Sequence, residues 1–294
     1  ENFIRMQGHN VMVSNSSVSN DGMMLASGSE DRTVRLWSTV SGKQLAAPIR
    51  FNNTVIDVDF APDDKALYVA VLGGDLYRVN LPLRKAEQAS YELGMGRYSP
   101  TSYNGDLDRI AALNSERLTV VDLKAQKEYS IKFENAGLLR RGNNGRYFPL
   151  KGDWENEEVL FFSTTQRMNI VLNRVNYKDG SIKEKFEIPA ETKSARLGSL
   201  GRRLGLLSTN NVVSVMDIKS WKTVGKSFPL DDRFYAATPT GDEDLIYGYS
   251  WQRGIQFYDI NSGDKVGATI NLRSASVKFI PATRKYVMTS GDSS

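Results

Sequence analysis

The chemistry open to this chain is bounded first by its bases and nucleophiles. It has one histidine, His9, and no cysteine. Disulfides, thiolate nucleophiles and thiolate metal sites are therefore excluded, and so is a multi-histidine metal site within one chain. A hydrolytic triad needs an imidazole base beside its serine, and only His9 could supply one. No GxSxG elbow occurs. Gly198-Ser199-Leu200-Gly201 is the nearest look-alike and reads as a strand entering a hairpin turn. Val224-Gly225-Lys226-Ser227 imitates the end of a phosphate-binding loop, but Ser220 stands where the upstream glycine belongs and no strand-loop-helix context surrounds it. Asp57 and Asp59 form a carboxylate pair. On a strand both face one side, so they are expected to be solvated at a channel rather than to carry out acid–base work. Asp63-Asp64 and Asp231-Asp232 read as turn residues. No catalytic residue, metal or cofactor is expected.

Composition agrees with a soluble globular class. Of the 294 residues, 40% are hydrophobic and 24% charged. No stretch approaches the roughly 18–20 apolar residues of a membrane helix, and no basic-then-apolar leader is visible. The expected compartment is the cytoplasm or another reducing one, with export left open because the sequence starts at Glu1. Net charge is +4, from 38 Lys+Arg against 34 Asp+Glu. That excess is mild, and it is not gathered into the long basic runs of dedicated nucleic-acid binders.

What must position any functional residue is a set of repeats. Turn signals recur at roughly 40-residue spacing between short β-rich runs. They are Asp21-Gly22, Asp63-Asp64, Asn104-Gly105, Asn143-Asn144-Gly145, Gly201-Arg202, Gly241-Asp242 and the turn from Pro281 to Arg284. A third run follows each of the first six, as in VRLW at Val34–Trp37, LTVVD at Leu118–Asp122 and IQFYD at Ile255–Asp259. A turn rich in Gly, Lys and Asp then leads to a fourth. Units of four short antiparallel strands are the pattern of propeller blades, which stack on one another because neither face is covered alone. The expected fold is an all-β propeller of about seven four-stranded antiparallel blades in one domain, 1–294. The blades fall at approximately 11–50, 51–93, 94–135, 136–190, 191–231, 232–272, and 273–294 together with 1–10. Phe3–Met6 is expected to lend a fourth strand to the last blade. Lys151–Glu158 is expected to form an extended loop in a long fourth unit.

The first unit carries Gly8-His9, the Asp21-Gly22 turn and LASGSEDRTVRLW from Leu25 to Trp37. It resembles a WD repeat, with Ser38 in place of the aspartate that follows the tryptophan. The stretch GKQLAAPI at Gly42–Ile49 is similar to WD repeats of bacterial multidomain proteins, some of them sensor regions. The resemblance implies a buried hydrogen-bond network of His9, Ser27, Asp31 and Trp37. It also implies that loops joining second to third strands, and blade to blade, share one face around the channel. The first kind offers Arg32, Arg117, Arg167, Trp251 and Arg253; the second offers Phe51, Arg97, Tyr98, Arg233, Phe234 and Arg273. Arginine forks grip carboxylate or phosphate, and arginine with aromatics is typical of interface hot spots. The expected function is a non-catalytic scaffold or sensor platform whose partner is a protein, bound through an acidic or phosphorylated segment. A small-molecule or enzymatic propeller using the channel is the second reading. A nucleic-acid-associated one, resting on Arg140-Arg141, Arg202-Arg203 and Arg284-Lys285, is the third. No membrane partner is expected, and the oligomeric state is left open.

Overall fold

The computed structural model describes residues 4–61, 63–81, 86–92, 101–103, 109–113, 117–122, 125–133, 150–153, 156–164, 169–198, 201–230, 234–240, 244–250, 252–271, 275–280 and 285–290. All regular structure among them is strand. Blade 1 holds β1 (Val13–Val18), β2 (Met24–Ser29), β3 (Thr33–Ser38) and β4 (Ile49–Arg50); blade 2 holds β5 (Val55–Phe60), β6 (Ala66–Val71), β7 (Asp75–Asn80) and β8 (Ala86–Glu92). Blade 3 holds β9 (Thr101–Tyr103), β10 (Arg109–Leu113), β11 (Arg117–Asp122) and β12 (Lys127–Lys132); blade 4 holds β13 (Lys151–Asp153), β14 (Glu158–Thr164), β15 (Ile170–Asn176) and β16 (Ile182–Glu187). Blade 5 holds β17 (Thr192–Leu197), β18 (Arg203–Ser208), β19 (Val212–Asp217) and β20 (Thr223–Pro229); blade 6 holds β21 (Ala236–Pro239), β22 (Leu245–Ser250), β23 (Gly254–Asp259) and β24 (Lys265–Ile270). A seventh sheet pairs β25 (Ala275–Ile280) with β26 (Lys285–Ser290).

Each full blade is antiparallel, with its strands in sequence order. Six sheets have four strands and the seventh has two, so the expected seven four-stranded blades are corrected to six and a hairpin. Two local expectations also change. Ile4–Met6 is not a strand. Lys151–Glu158 is not a loop throughout: Lys151–Asp153 is β13 and Glu158 opens β14, paired with Asp153, while 154 and 155 lie outside the described residues.

The core lies between blades rather than within them. Leu36, Phe51, Val58, Leu67 and Val79 form the layer joining blades 1 and 2. Ala70, Leu76, Ile110 and Val121 join blades 2 and 3, and Leu118, Val159, Phe161 and Tyr177 join blades 3 and 4. Leu160, Leu172, Leu197 and Leu206 link blades 4 and 5; Val213, Phe228, Phe234 and Tyr258 link blades 5 and 6. Tyr249, Ile255 and Phe257 carry blade 6 onto the β25–β26 hairpin through Val277, Tyr286 and Met288. The hairpin in turn contacts β1.

Polar seams accompany these layers. Asn15 Nδ2 donates to Asp57 and Ser17 Oγ to Asp59, across from β1 to β5. The two carboxylates do share a side of β5, but that side faces blade 1 rather than a solvated channel, and Asp57 is buried. Neither is left as a free acid–base pair. Blades 4 and 5 are clasped by Trp221, which stacks on Phe186 with ring centroids 4.8 Å apart and donates Nε1–H to Glu184 at 3.0 Å.

The aspartates that end third strands hold the turns that follow them. Asp217 Oδ1 accepts from the Ser220 amide at 2.8 Å, and Asp259 Oδ1 from the amides of Asn261 and Ser262 at 2.8 Å. In blade 1 the Ser38 hydroxyl does the same for the amides of Val40 and Ser41, at 3.3 and 3.2 Å. The serine thus keeps the capping role of the missing aspartate with a shorter, neutral acceptor.

One buried polar chain pins blade 1. Trp37 donates Nε1–H to Ser27 Oγ at 2.8 Å, and Ser27 lies 2.7 Å from His9 Nε2. His9 Nδ1 lies 2.8 Å from Asp31 Oδ2. Ser27 accepts from Trp37, so its own proton goes to Nε2, and the carboxylate only accepts; the proton of the imidazole therefore sits on Nδ1. Asp31 Oδ1 takes the Thr33 amide at 2.9 Å and the Thr33 hydroxyl at 2.6 Å. Gly8 precedes the histidine because a Cβ there would come within 2.9 Å of the Trp37 ring. Both nitrogens of the one imidazole are engaged in holding structure, which leaves neither to act as a general base.

Burial pushes the His9 pKa below its usual value, more than the hydrogen bond and charge of Asp31 restore. Burial raises the Asp31 carboxyl, but hydrogen bonds from Thr33 and His9 outweigh it and the net shift is downward. The unfolded chain therefore binds a proton at His9 below about pH 6.5 that the folded chain refuses until lower pH. Stability is fully present above that value and falls as pH drops through it. Urea melts between pH 8 and 5 should show this loss, and His9→Gln should flatten it. Ser27→Ala strands the buried donor of Trp37 and should cost about 1–3 kcal/mol in the same assay.

Candidate functional site

The turns between second and third strands lie at one end of the blades, together with the loops that enter each new blade. In blade 1 this turn is built by Asp31. Its amide donates to Ser29 Oγ at 3.1 Å, and the Arg32 amide donates to the Ser29 carbonyl at 3.1 Å. Arg32 has φ of 67° and is exposed. Its carbonyl accepts from the Phe51 amide at 2.8 Å, which ties the loop entering blade 2 to the turn of blade 1.

The same construction recurs in blade 5. There Asn211 has φ of 60°, and its carbonyl accepts from the Leu230 amide at 2.9 Å. The matching residue of blade 2 is Gly74, with φ of 103°. Glycine and asparagine tolerate this left-handed conformation, whereas an arginine is strained in it. The hydrogen bonds around Asp31 and Ser29 hold the Arg32 backbone there, with the residue exposed on the face.

The other expected face residues divide into three groups. Arg117 opens β11 and Arg253 precedes β23; both are exposed at this same end. Phe51 and Phe234 are buried, at 6% and 3% exposure, and are corrected from surface anchors to core. Phe51 plugs the seam between blades 1 and 2 edge-on to Tyr77, with centroids 5.1 Å apart, and Phe234 meets Tyr258 at 6.2 Å. Buried Leu230 and Ile188 follow the outer strands of blades 5 and 4 in the same way, so Phe51 belongs to a repeated apolar plug. Arg97, Tyr98, Arg167, Arg233, Trp251 and Arg273 lie outside the described residues.

The face also has residues that pattern reading did not flag. First strands β1, β5 and β17 each carry a bulge near this end, between Val13 and Asn15, Val55 and Asp57, and Thr192 and Ser194. The extra residues are Ser14, Ile56 and Lys193. A bulge re-aims a side chain that alternation would send elsewhere. Lys193 Nζ donates to Asn211 Oδ1 at 2.6 Å, and burial lowers its pKa. Beside Phe51, Asn52 Nδ2 donates to Asp75 Oδ2 at 3.3 Å, and the Tyr77 hydroxyl donates to the same oxygen at 3.4 Å. The one available signal was the insertion of a single residue into an alternating run, which a pattern of runs and turns does not resolve.

Among the described residues no group of three or more His, Asp or Glu side chains is placed to hold a metal ion, and no helix is long and apolar enough to cross a membrane. The described part of the face mixes charge, with Arg32, Arg117, Lys193 and Arg253 among Glu30, Asp75 and Glu191. Arg32→Gly releases the left-handed strain and should raise the urea-melt stability by about 0.5–1 kcal/mol. A lower stability would show that the arginine side chain holds the turn together.

The family described as WD domain, G-beta repeat matches residues 2–38, the span from before Gly8-His9 to Ser38. Periodic tryptophan protein 2 homolog of Neurospora crassa is 30% identical over 141 residues, covering 48% of this chain and 15% of that protein. Ribosome biogenesis protein ERB1 of Debaryomyces hansenii is 30% identical over 83 residues, covering 26% of this chain and 10% of that protein. Apoptotic protease-activating factor 1 of Rattus norvegicus is 35% identical over 98 residues, covering 30% of this chain and 8% of that protein. The chain spans less than one sixth of the length of each. The chain is a β-propeller whose first blade carries a WD repeat, with four-stranded antiparallel blades stacked behind it.

Proposed function

We propose that this propeller is a non-catalytic interaction platform, a scaffold or sensor, that binds a protein partner on the face carrying Arg32, Arg117 and Arg253. The observation that carries the reading is Arg32. An exposed arginine is kept in a left-handed turn where matching blades place Gly74 and Asn211. A side chain retained against a local conformational cost is retained for what it touches. An arginine fork projecting from a rigid turn suits a carboxylate or phosphate, so the partner segment is read as acidic or phosphorylated. A relative named for ribosome biogenesis supports work inside an assembly of macromolecules.

The test is a pull-down from native lysate with wild type beside Arg32→Glu/Arg117→Glu/Arg253→Glu, read by mass spectrometry and by absorbance for nucleic acid. The expected outcome is a specific protein retained by wild type and lost at least tenfold by the variant, since reversing each desolvated charge contact costs about 2 kcal/mol or more. Equal retention by both would overturn the face assignment. A nucleic acid released steeply by salt would favour the nucleic-acid reading instead.

A further inference from the structure

The outer strands of blades 1 to 4 end at the face that carries Arg32, and their last residues alternate in charge. β4 ends in Arg50, β8 in Glu92, β12 in Lys132 and β16 in Glu187. The four positions are equivalent, because each pairs across to the start of its third strand: Arg50 with Thr33, Glu92 with Asp75, Lys132 with Arg117 and Glu187 with Val171. The third strands repeat the order, with Arg32 just before β3, Asp75 opening β7 and Arg117 opening β11. Blades 1 to 4 thus read basic, acidic, basic, acidic along one arc of the face.

These charges are held in place but not matched. Asp75 Oδ2 accepts from Asn52 Nδ2 at 3.3 Å and from the Tyr77 hydroxyl at 3.4 Å, and Glu187 Oε1 accepts from Asn169 Nδ2. Each of these donors is neutral. Among the described residues no ion pair involves Arg32, Arg50, Asp75, Arg117, Lys132 or Glu187. All six are exposed except Asp75, which is half-buried. Glu30 sits on the second-strand side of the Arg32 turn, outside this arc, where its amide donates to the Met12 carbonyl at 3.0 Å.

Sheets packed face to face stand roughly 10 Å apart, so opposite charges follow one another around the arc in regular steps. Reversal turns this order into its own complement: basic, acidic, basic, acidic read backwards is acidic, basic, acidic, basic. A two-fold axis lying in the face between blades 2 and 3 sets blade 1 of one copy on blade 4 of another, and blade 2 on blade 3. Arg50 then meets Glu187 and Asp75 meets Arg117, and each contact occurs twice, as in any isologous interface.

Other occupants fit less well. A uniformly acidic surface, nucleic acid included, is repelled at Asp75 and Glu187. The last sheet packs on blade 6 and on β1, which leaves blade 1 standing between it and blades 2 to 4. The surface whose order of charge complements the arc is the arc itself.

We infer that the charged arc of blades 1 to 4 is a two-fold interface on which a second copy of this chain docks. Exposed ion pairs are individually weak and are screened by salt, so the dimer is reversible and salt-sensitive. It covers Arg32 and Arg117 but not Arg253, which belongs to blade 6. The inference goes beyond the partner-binding reading and does not rest on it, because the dimer forms from the chain alone.

The test is sedimentation equilibrium of the purified 294-residue chain. The expected result is a monomer–dimer equilibrium at about 50 mM salt whose association constant falls at least about tenfold by about 300 mM. Arg50→Glu/Arg117→Glu/Lys132→Glu makes the arc acidic throughout, and Asp75→Lys/Glu92→Lys/Glu187→Lys makes it basic throughout. Each variant alone should stay monomeric, and an equimolar mixture of the two should form a heterodimer, which a pair of misfolded chains would not do. Lys132→Glu alone, at an exposed strand end, should weaken self-association about threefold. A monomeric wild type at low salt, a dimer indifferent to salt or surviving both sets of reversals, or a mixture that stays monomeric would overturn the inference. None of these outcomes bears on whether another protein binds the arginine face.

Discussion

The second strands of these blades are buried on both faces, and the stacking of the blades follows from that constraint. Leu67 and Val69 of β6 point to one side of the sheet and Ala70 to the other, yet all three are wholly buried. No single blade can satisfy such strands, so each is clamped between neighbours. The large hydrophobic layers accordingly span consecutive blades. Polar groups in the seams must then be matched across blades, as Asn15 and Ser17 are with Asp57 and Asp59, because an unmatched buried carboxylate would be costly.

The same arrangement leaves the turns at the blade ends free of packing duty, and there function can be carried. The turn of blade 1 is not loose, however. The chain from Trp37 through Ser27 and His9 to Asp31 connects the interior of the blade to its tip. A rigid scaffold with a strained, exposed arginine at its rim is preorganised for binding. The entropy cost of ordering a loop has been met in folding, so a partner does not have to supply it.

The period and chemistry of the strands were legible in the sequence, because alternating runs and Gly/Asp turns encode strand and hairpin locally. Gly8, His9, Ser27, Asp31 and Trp37 were legible as a set through their resemblance to a known repeat. Phe51 and Phe234 were misread because loop position was taken as exposure. Their burial depends on the seam to the next blade, a contact not contained in local pattern. Lys151–Glu158 was misread because charged residues can form a short inner strand when its backbone pairs, as Lys151 does with Leu160. The bulge residues Ser14, Ile56 and Lys193 were invisible for a related reason: a one-residue slip is set by the partner strand.

The face proposed to meet a protein partner is the end of the propeller carrying Arg32. Site-specific photo-crosslinking in native lysate tests it most directly, with the crosslinker placed at Asn52 on that end or at Met23 in the β1–β2 turn at the other. Docking on that end yields a discrete protein adduct from Asn52 and none from Met23. An adduct from Met23 alone, or from neither position, would contradict it.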